Sequence, residues 1–233
     1  MVFQAFCPGQ TSVLADWKVT RNPLPHLTST ANFKANKHIS AMIEEIDNFK
    51  KYLMQMTPMD NKSFDIAIKY LNIERIKKGE FLVREGQVCS KIAFIQSGLF
   101  RIYYLKEGIE INTCFCKENS ITSSFNSFIH QIPSTESIQA LEDAEIVTLS
   151  SANLINLNKE STIWQKIRLL LTEKECLRLS DRANSLGFDS ALEKYKNILK
   201  YQPEIIQRVS IQHIASYLGI TRETLSRIRS QID

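Results

Sequence analysis

The feature that most constrains this chain is a change of hydrophobic period near residue 150. From about residue 73 onward, apolar residues come in short runs closed by turn signals. Glu80 to Val83 precedes Gly86, Ile92 to Ile95 precedes Gly98, and Leu99 to Tyr104 precedes Gly108; Ile109 to Phe115, Glu136 to Leu141 and Glu145 to Leu149 follow. Strands recurring about every 8–12 residues between glycine-centred turns predict an antiparallel barrel or jelly roll. After residue 150 the spacing is helical, with Ile155, Ile163, Ile167, Leu170, Leu177 and Leu186 set among Lys, Glu and Arg, and Gly187 as a C-terminal stop. A helix of about 25 residues exceeds the usual globular length, which predicts pairing with a second copy of the chain.

Residues 1–38 have no sustained period and carry Pro8, Pro23 and Pro25, three of the six prolines. Helical spacing starts only at Ile43, just after Met42, so residues 1–42 are expected to form a poorly ordered extension. At 43% apolar and 23% charged residues the rest of the chain is ordinary for a globular protein, which excludes wholesale disorder. No apolar run approaches the roughly 18–20 residues that span a bilayer. No basic stretch precedes an apolar one at the N-terminus, so a cytoplasmic protein with no membrane association is expected.

The five cysteines, Cys7, Cys89, Cys114, Cys116 and Cys176, show no disulfide-like regularity. Alternation puts Cys114 and Cys116 on one face of a strand. Neither a second pair nor histidines at ligand spacing accompanies them, so they read as buried reduced thiols, with no metal. The four histidines (His26, His38, His130, His213) are scattered, and no nucleophile elbow or phosphate-binding glycine loop occurs; an enzyme is not expected.

Function is most legible between Arg208 and Arg229. Ser210 can cap a helix whose inward residues are Ile211, Ile214, Ala215 and Leu218, and Gly219 suits a left-handed turn. Ile220 fills the corner and Thr221 can cap a second helix that buries Leu225 and Ile228. That helix leaves Arg222, Glu223, Ser226, Arg227 and Arg229 outward. The spacing is that of a helix-turn-helix, whose second helix enters the DNA major groove. An ordinary helical hairpin would have a mixed charged face. Here arginine dominates the start of the second helix, and residues 190–233 hold seven Lys+Arg against four Asp+Glu. Arginine can donate twice to guanine, and glutamate can accept from cytosine. Arg222, Glu223 and Arg227 are therefore candidate base readers, and Thr221, Ser226 and Arg229 candidate phosphate contacts.

With these residues the sequence resembles the CRP/FNR (cyclic-AMP receptor protein / fumarate-nitrate regulator) family of bacterial transcription factors, in the short form found in Bacteroidetes. The likeness covers about residues 43–233. It rests on Lys78-Gly79-Glu80 with Glu85-Gly86, on the run from Phe94 to Arg101, on Leu141-Glu142-Asp143, and on Thr221 to Ile228. It implies an α+β chain with a cyclic-nucleotide-binding-like antiparallel β-roll over 43–151 and a long dimerisation helix over 152–187. A winged helix-turn-helix over 188–233 completes it. The implied partners are double-stranded DNA with a pseudo-palindromic operator, a second copy of the chain and RNA polymerase.

One departure bears on the signal. Family members that bind cyclic nucleotides present an arginine to the cyclic phosphate shortly after a Gly-Glu pair. Residues 117–136 contain no Gly-Glu, and no arginine occurs from 102 to 167. A buried phosphate would lose its strongest contact, so cyclic AMP is not expected and the effector is unknown. Ser123, Ser124, Ser134 and Thr135 offer hydroxyls to some other ligand. A competing reading is a ligand-binding or interaction module whose helix-turn-helix no longer reads DNA.

Overall fold

The structure, a computed structural model, describes residues 46–232. The extension expected over residues 1–42 lies outside them. Helices α1 (Asp47–Met56) and α2 (Asn61–Ile68) lead into eight strands: β1 (Leu71–Ile76), β2 (Phe81–Val83), β3 (Lys91–Ser97), β4 (Phe100–Lys106), β5 (Ile109–Cys116), β6 (Ser120–Thr122), β7 (Ser137–Ala140) and β8 (Ala144–Ser150), with a short helix α3 (Phe125–His130) between β6 and β7. They form two antiparallel four-stranded sheets, in orders β1-β8-β3-β6 and β2-β7-β4-β5. This is the expected jelly roll. Each strand run read from the sequence is present, and β1 and β6 are additional. The β3–β4 turn needs glycine: Gly98 has φ +96, and a Cβ there would lie 2.6 Å from that of Ala144.

Strand alternation sorts side chains into two cores. Ile95, Phe100, Ile102, Ile138 and Ile146 fill the space between the sheets. The outer face of the β3–β8 sheet presents Phe94 and Val147 to Phe49, Phe64, Trp164 and Ile167 from the helices. Phe94 stacks at a tilt between Phe49 (5.0 Å) and Tyr52 (5.1 Å), a geometry favoured by ring quadrupoles.

Two expectations are corrected beyond β8. The long helix expected over 152–187 is two: α4 (Ser151–Glu160) and α5 (Thr162–Phe188). Ser161, with φ −150 and ψ 122, breaks the run, and its N–H closes α4 on the Leu157 carbonyl. Serine readily takes that extended cap conformation. Lys69 and Tyr70 also draw Glu160 aside, by an ion pair of 2.7 Å and a hydrogen bond. Nor does Gly187 end α5. The helix runs on to Phe188 and stops because Ser190 caps the next helix in a reciprocal capping box with Glu193.

The remaining helices are α6 (Ala191–Tyr201), α7 (Pro203–Arg208), α8 (Ile211–Leu218) and α9 (Arg222–Arg229). Among the described residues no strand follows Ser150. The outer face of β5 packs against the flank of α8. Among the described residues, no helix is long and apolar enough to cross a membrane.

Candidate nucleic-acid interface

The α8–turn–α9 unit is built as its residues dictate. The Ser210 hydroxyl accepts from the His213 N–H and starts α8. Gly219, at φ 72, ends it, and the Ile220 N–H returns to the Ala215 carbonyl at 3.0 Å. Thr221 then caps α9 by accepting from Thr224. Ile214, Ala215 and Leu218 on α8 meet Leu225 and Ile228 on α9, all buried; the small Ala215 sits where the helices pass. Ile211 and Ile220 are half-buried against this cluster.

The opposite face of α9 is polar. Thr221, Arg222, Glu223, Ser226 and Arg227 are exposed, and Arg229 is half-buried. Arg222, Glu223, Ser226, Arg227 and Ser230 line a shallow depression. Ion pairs engage Arg75, Arg101, Arg178 and Arg208, but none among the described residues engages Arg222, Arg227 or Arg229. The Glu223 carboxyl lies below its ordinary range, held by its own backbone N–H at the start of α9 and by the Thr221 hydroxyl. It is an ionised acceptor at neutral pH.

Sequence reasoning missed how this unit meets the roll. Arg101 is only 5% exposed although charged. It donates to both oxygens of Glu110 (2.5 and 3.1 Å), to Gln139 Oε1 (2.9 and 2.7 Å), and lies 3.2 Å from His213 Nδ1. Ser216 Oγ accepts from the Asn112 N–H at 3.0 Å and donates to the Glu110 carbonyl at 2.8 Å. Arg208 at the end of α7 grips Glu118 (2.9 and 2.7 Å) and Glu142 (2.9 and 2.5 Å). Its guanidinium holds both carboxyls below their ordinary range. Arg182 of α5 lies 3.8 Å over the Tyr217 ring and donates to its carbonyl. One signal was available: Arg101 is a lone charge inside an apolar strand.

The roll-side candidates are placed differently from one another. Ser123, Ser124 and Ser134 are buried, but each hydroxyl already serves the loop. Ser123 donates to the Lys91 carbonyl (3.2 Å), and Ser134 bonds to Ser124 (2.9 Å) and the Glu136 carbonyl (2.6 Å). Thr135 is exposed and separate from them. Beside this loop burial pushes the Glu136 carboxyl above its ordinary range, opposed by a hydrogen bond from Ser124. The serines hold the segment's own shape, and Ser124 engages the Glu136 carboxyl.

The cyclic nucleotide-binding domain family matches residues 73–161, from within β1 to the break before α5. No curated protein matches the chain in sequence. Among solved structures, the c-di-GMP responsive global regulator CLP of Xanthomonas campestris is similar at TM-score 0.60 and 18% identity, over 74% of this chain and 91% of that one. FixK2 from Bradyrhizobium japonicum is similar at 0.57 and 20%, over 70% and 84%. The catabolite activator protein of Thermus thermophilus gives 0.50 and 16%, over 78% and 86%. Residues 73–161 thus match the cyclic nucleotide-binding domain family, within a chain that shares the fold of CLP, FixK2 and the Thermus catabolite activator protein.

Proposed function

We propose that the chain is a transcriptional regulator of the CRP/FNR type that binds a pseudo-palindromic operator as a homodimer. The observation that carries this reading is the set of arginines on α9 that form no ion pair among the described residues, next to an ionised Glu223. In the major groove Arg222 and Arg227 each suit a guanine, and Glu223 suits the cytosine of a neighbouring pair. Thr221, Ser226 and Arg229 suit phosphates, which fix register without choosing sequence.

Pairing of two chains has its own support. Beyond Ile167, α5 exposes Leu169 (57%) and Leu177 (68%), two turns apart and within one face, apolar surface that a second copy would cover. Two recognition helices about 34 Å apart would then meet successive major grooves. RNA polymerase is the further partner the family likeness suggests.

Cyclic AMP does not fit the roll. The loop that would meet its phosphate offers Glu136 and committed serines, and the cation of Arg178 is already held at 2.6 Å by Glu175. A phosphate beside a carboxylate gains nothing to offset its lost hydration. We infer an effector other than cyclic AMP.

Binding to a library of randomised half-sites tests the reading. Arg222→Ala and Arg227→Ala should each cost about 1–3 kcal/mol per half-site and relax preference at one guanine. Arg229→Ala should weaken all sequences alike and lower the salt slope by about one. Unchanged base preferences in both of the first two variants would leave only an interaction module with a silent helix-turn-helix.

A further inference from the structure

We propose that Cys114 and Cys116 form a reversible dithiol–disulfide pair that reacts with hydroperoxides, and that closing it loosens α8 from the roll. Both thiols lie on the inner face of β5, with their sulfurs 3.5 Å apart. Side chains two residues apart on a strand are spaced by about 6.6 Å along the chain, so these two lean toward each other. A disulfide needs about 2.05 Å between sulfurs and a Cα separation of at most about 6.8 Å. The backbone is thus at the upper limit, and the sulfurs have to close by about 1.5 Å. The bond would carry strain, which makes it easily reduced and therefore reversible.

The two thiols are unequal. Cys116 is buried at 7% exposure, whereas Cys114 is half-buried. A hydrogen bond from Cys116 pulls the Cys114 thiol below its ordinary range; burial and the Glu175 carboxylate oppose this, while Arg178 and Arg182 on α5 favour it. The same contact, with burial, pushes Cys116 up. Cys114 is therefore the nucleophile and Cys116 the resolving thiol. The other described cysteines lack such a neighbour: Cys89 bonds to Ser123 and the Lys91 carbonyl, and Cys176 is exposed on α5.

The Cys114 thiolate attacks one peroxide oxygen, the O–O bond breaks, and the departing alkoxide takes up a proton. This leaves a sulfenic acid on Cys114. The Cys116 sulfur then attacks the Cys114 sulfur; the S–S bond forms, and hydroxide leaves with the Cys116 proton as water. Two thiols lose two electrons and two protons, and the hydroperoxide becomes an alcohol and water.

The position of the pair ties it to the roll–helix contact. Phe115, between the two cysteines, faces outward and packs on Tyr217 of α8 with ring centroids 5.3 Å apart. Arg182, which bears on Cys114, also covers that ring. Drawing the two sulfurs together twists the strand under Phe115.

The test uses the full chain carrying Cys176→Ser, treated with hydrogen peroxide, alkylated and digested with trypsin. Residues 107–117 form one tryptic peptide holding both thiols. The expected product is that peptide lighter by two hydrogens and unalkylated, restored by dithiothreitol. Hydrogen exchange at residues 211–218 should rise by about threefold or more in the oxidised form. In Cys116→Ser, Cys114 should stop at a sulfenic acid captured by dimedone, while in Cys114→Ser, Cys116 should stay a thiol. Full alkylation after treatment, a sulfinic acid, or linkage to another chain would overturn the pair. Unchanged exchange in the disulfide form would overturn the coupling to α8.

Discussion

The two faces of the β4–β5 ribbon solve opposite problems. Its inner face belongs to an apolar core in which Ile95, Phe100, Ile138 and Ile146 are fully buried. Its outer face meets α8 through Arg101, Glu110, Asn112, His213 and Ser216, with Arg208 reaching round to Glu118 and Glu142. Apolar burial gains free energy in proportion to area and involves no titrating group. A polar contact nets little, because each group gives up water to make it, and it responds to salt and pH. The inner face fixes the fold. The outer face can be made and released at modest cost.

Cutting into each face should expose the difference, with the larger effect inside. Ile146→Ala leaves a cavity between the sheets and should lower global stability by about 2–5 kcal/mol, read from the denaturant midpoint. A loss under about 1 kcal/mol would mean the interior collapses around the gap and is softer than its packing suggests. Arg208→Met should act locally. Its carboxylate partners are roughly one-third exposed, so the loss is about 1–2 kcal/mol, smaller at high salt. Native-state hydrogen exchange should then rise about tenfold over residues 211–218 and stay unchanged in β8. Equal increases in both would show that the helix-turn-helix and the roll open as one unit.

How much was legible follows the same division. Period 2 with glycine turns marked the six strand runs, because those strands are apolar on the side that packs. The caps Ser210 and Thr221 and the turn at Gly219 were legible because local chemistry alone sets them. Short β6, at Ser120–Thr122, carries no apolar alternation and escaped. Ser161 escaped because a serine cap can interrupt a helical stripe without disturbing its period. A charge inside an apolar strand marked Arg101, but the partners of Arg101 and Arg208 could not be read. Their partners lie as far as 112 residues away along the chain, and only the folded roll brings them together. Likewise, alternation placed Cys114 and Cys116 on one face, but not with sulfurs in contact.

Acidification should separate the faces without any mutation. Burial and the charge of Arg101 lower the His213 imidazole from its ordinary 6.5, against a raising effect from Glu110. Arg101 and Arg208 lower the carboxyls of Glu110, Glu118 and Glu142 from their ordinary 4.5. A depressed folded value means stability that is complete above the unfolded value and lost as pH falls toward the folded one. Protection of α8 should therefore fall in two steps, first below about 6.5 and again below about 4.5. His213→Gln should remove the first step only. A single step near 4.5 in the native chain would show that His213 takes no part in docking.

The smallest effect should come from Asn112, the residue on which the two faces differ most sharply. It is 1% exposed beneath α8, yet neither Nδ2 nor Oδ1 of its side chain has a hydrogen-bond partner among the described residues. Its backbone N–H is engaged with Ser216, so only the side chain is orphaned. An unpaired buried amide costs about 1–3 kcal/mol, and an apolar group of similar size removes that penalty. Asn112→Leu should therefore leave stability within about 1 kcal/mol of native, or raise it, although the site is as buried as Ile146. The same substitution should slow hydrogen exchange over residues 211–218, since docking α8 would no longer desolvate an amide. A loss above about 1.5 kcal/mol would instead mean that the amide is bonded through a trapped water. The outer face would then be as fixed as the inner one, and release of α8 would have to come from the carboxylates around Arg208 alone.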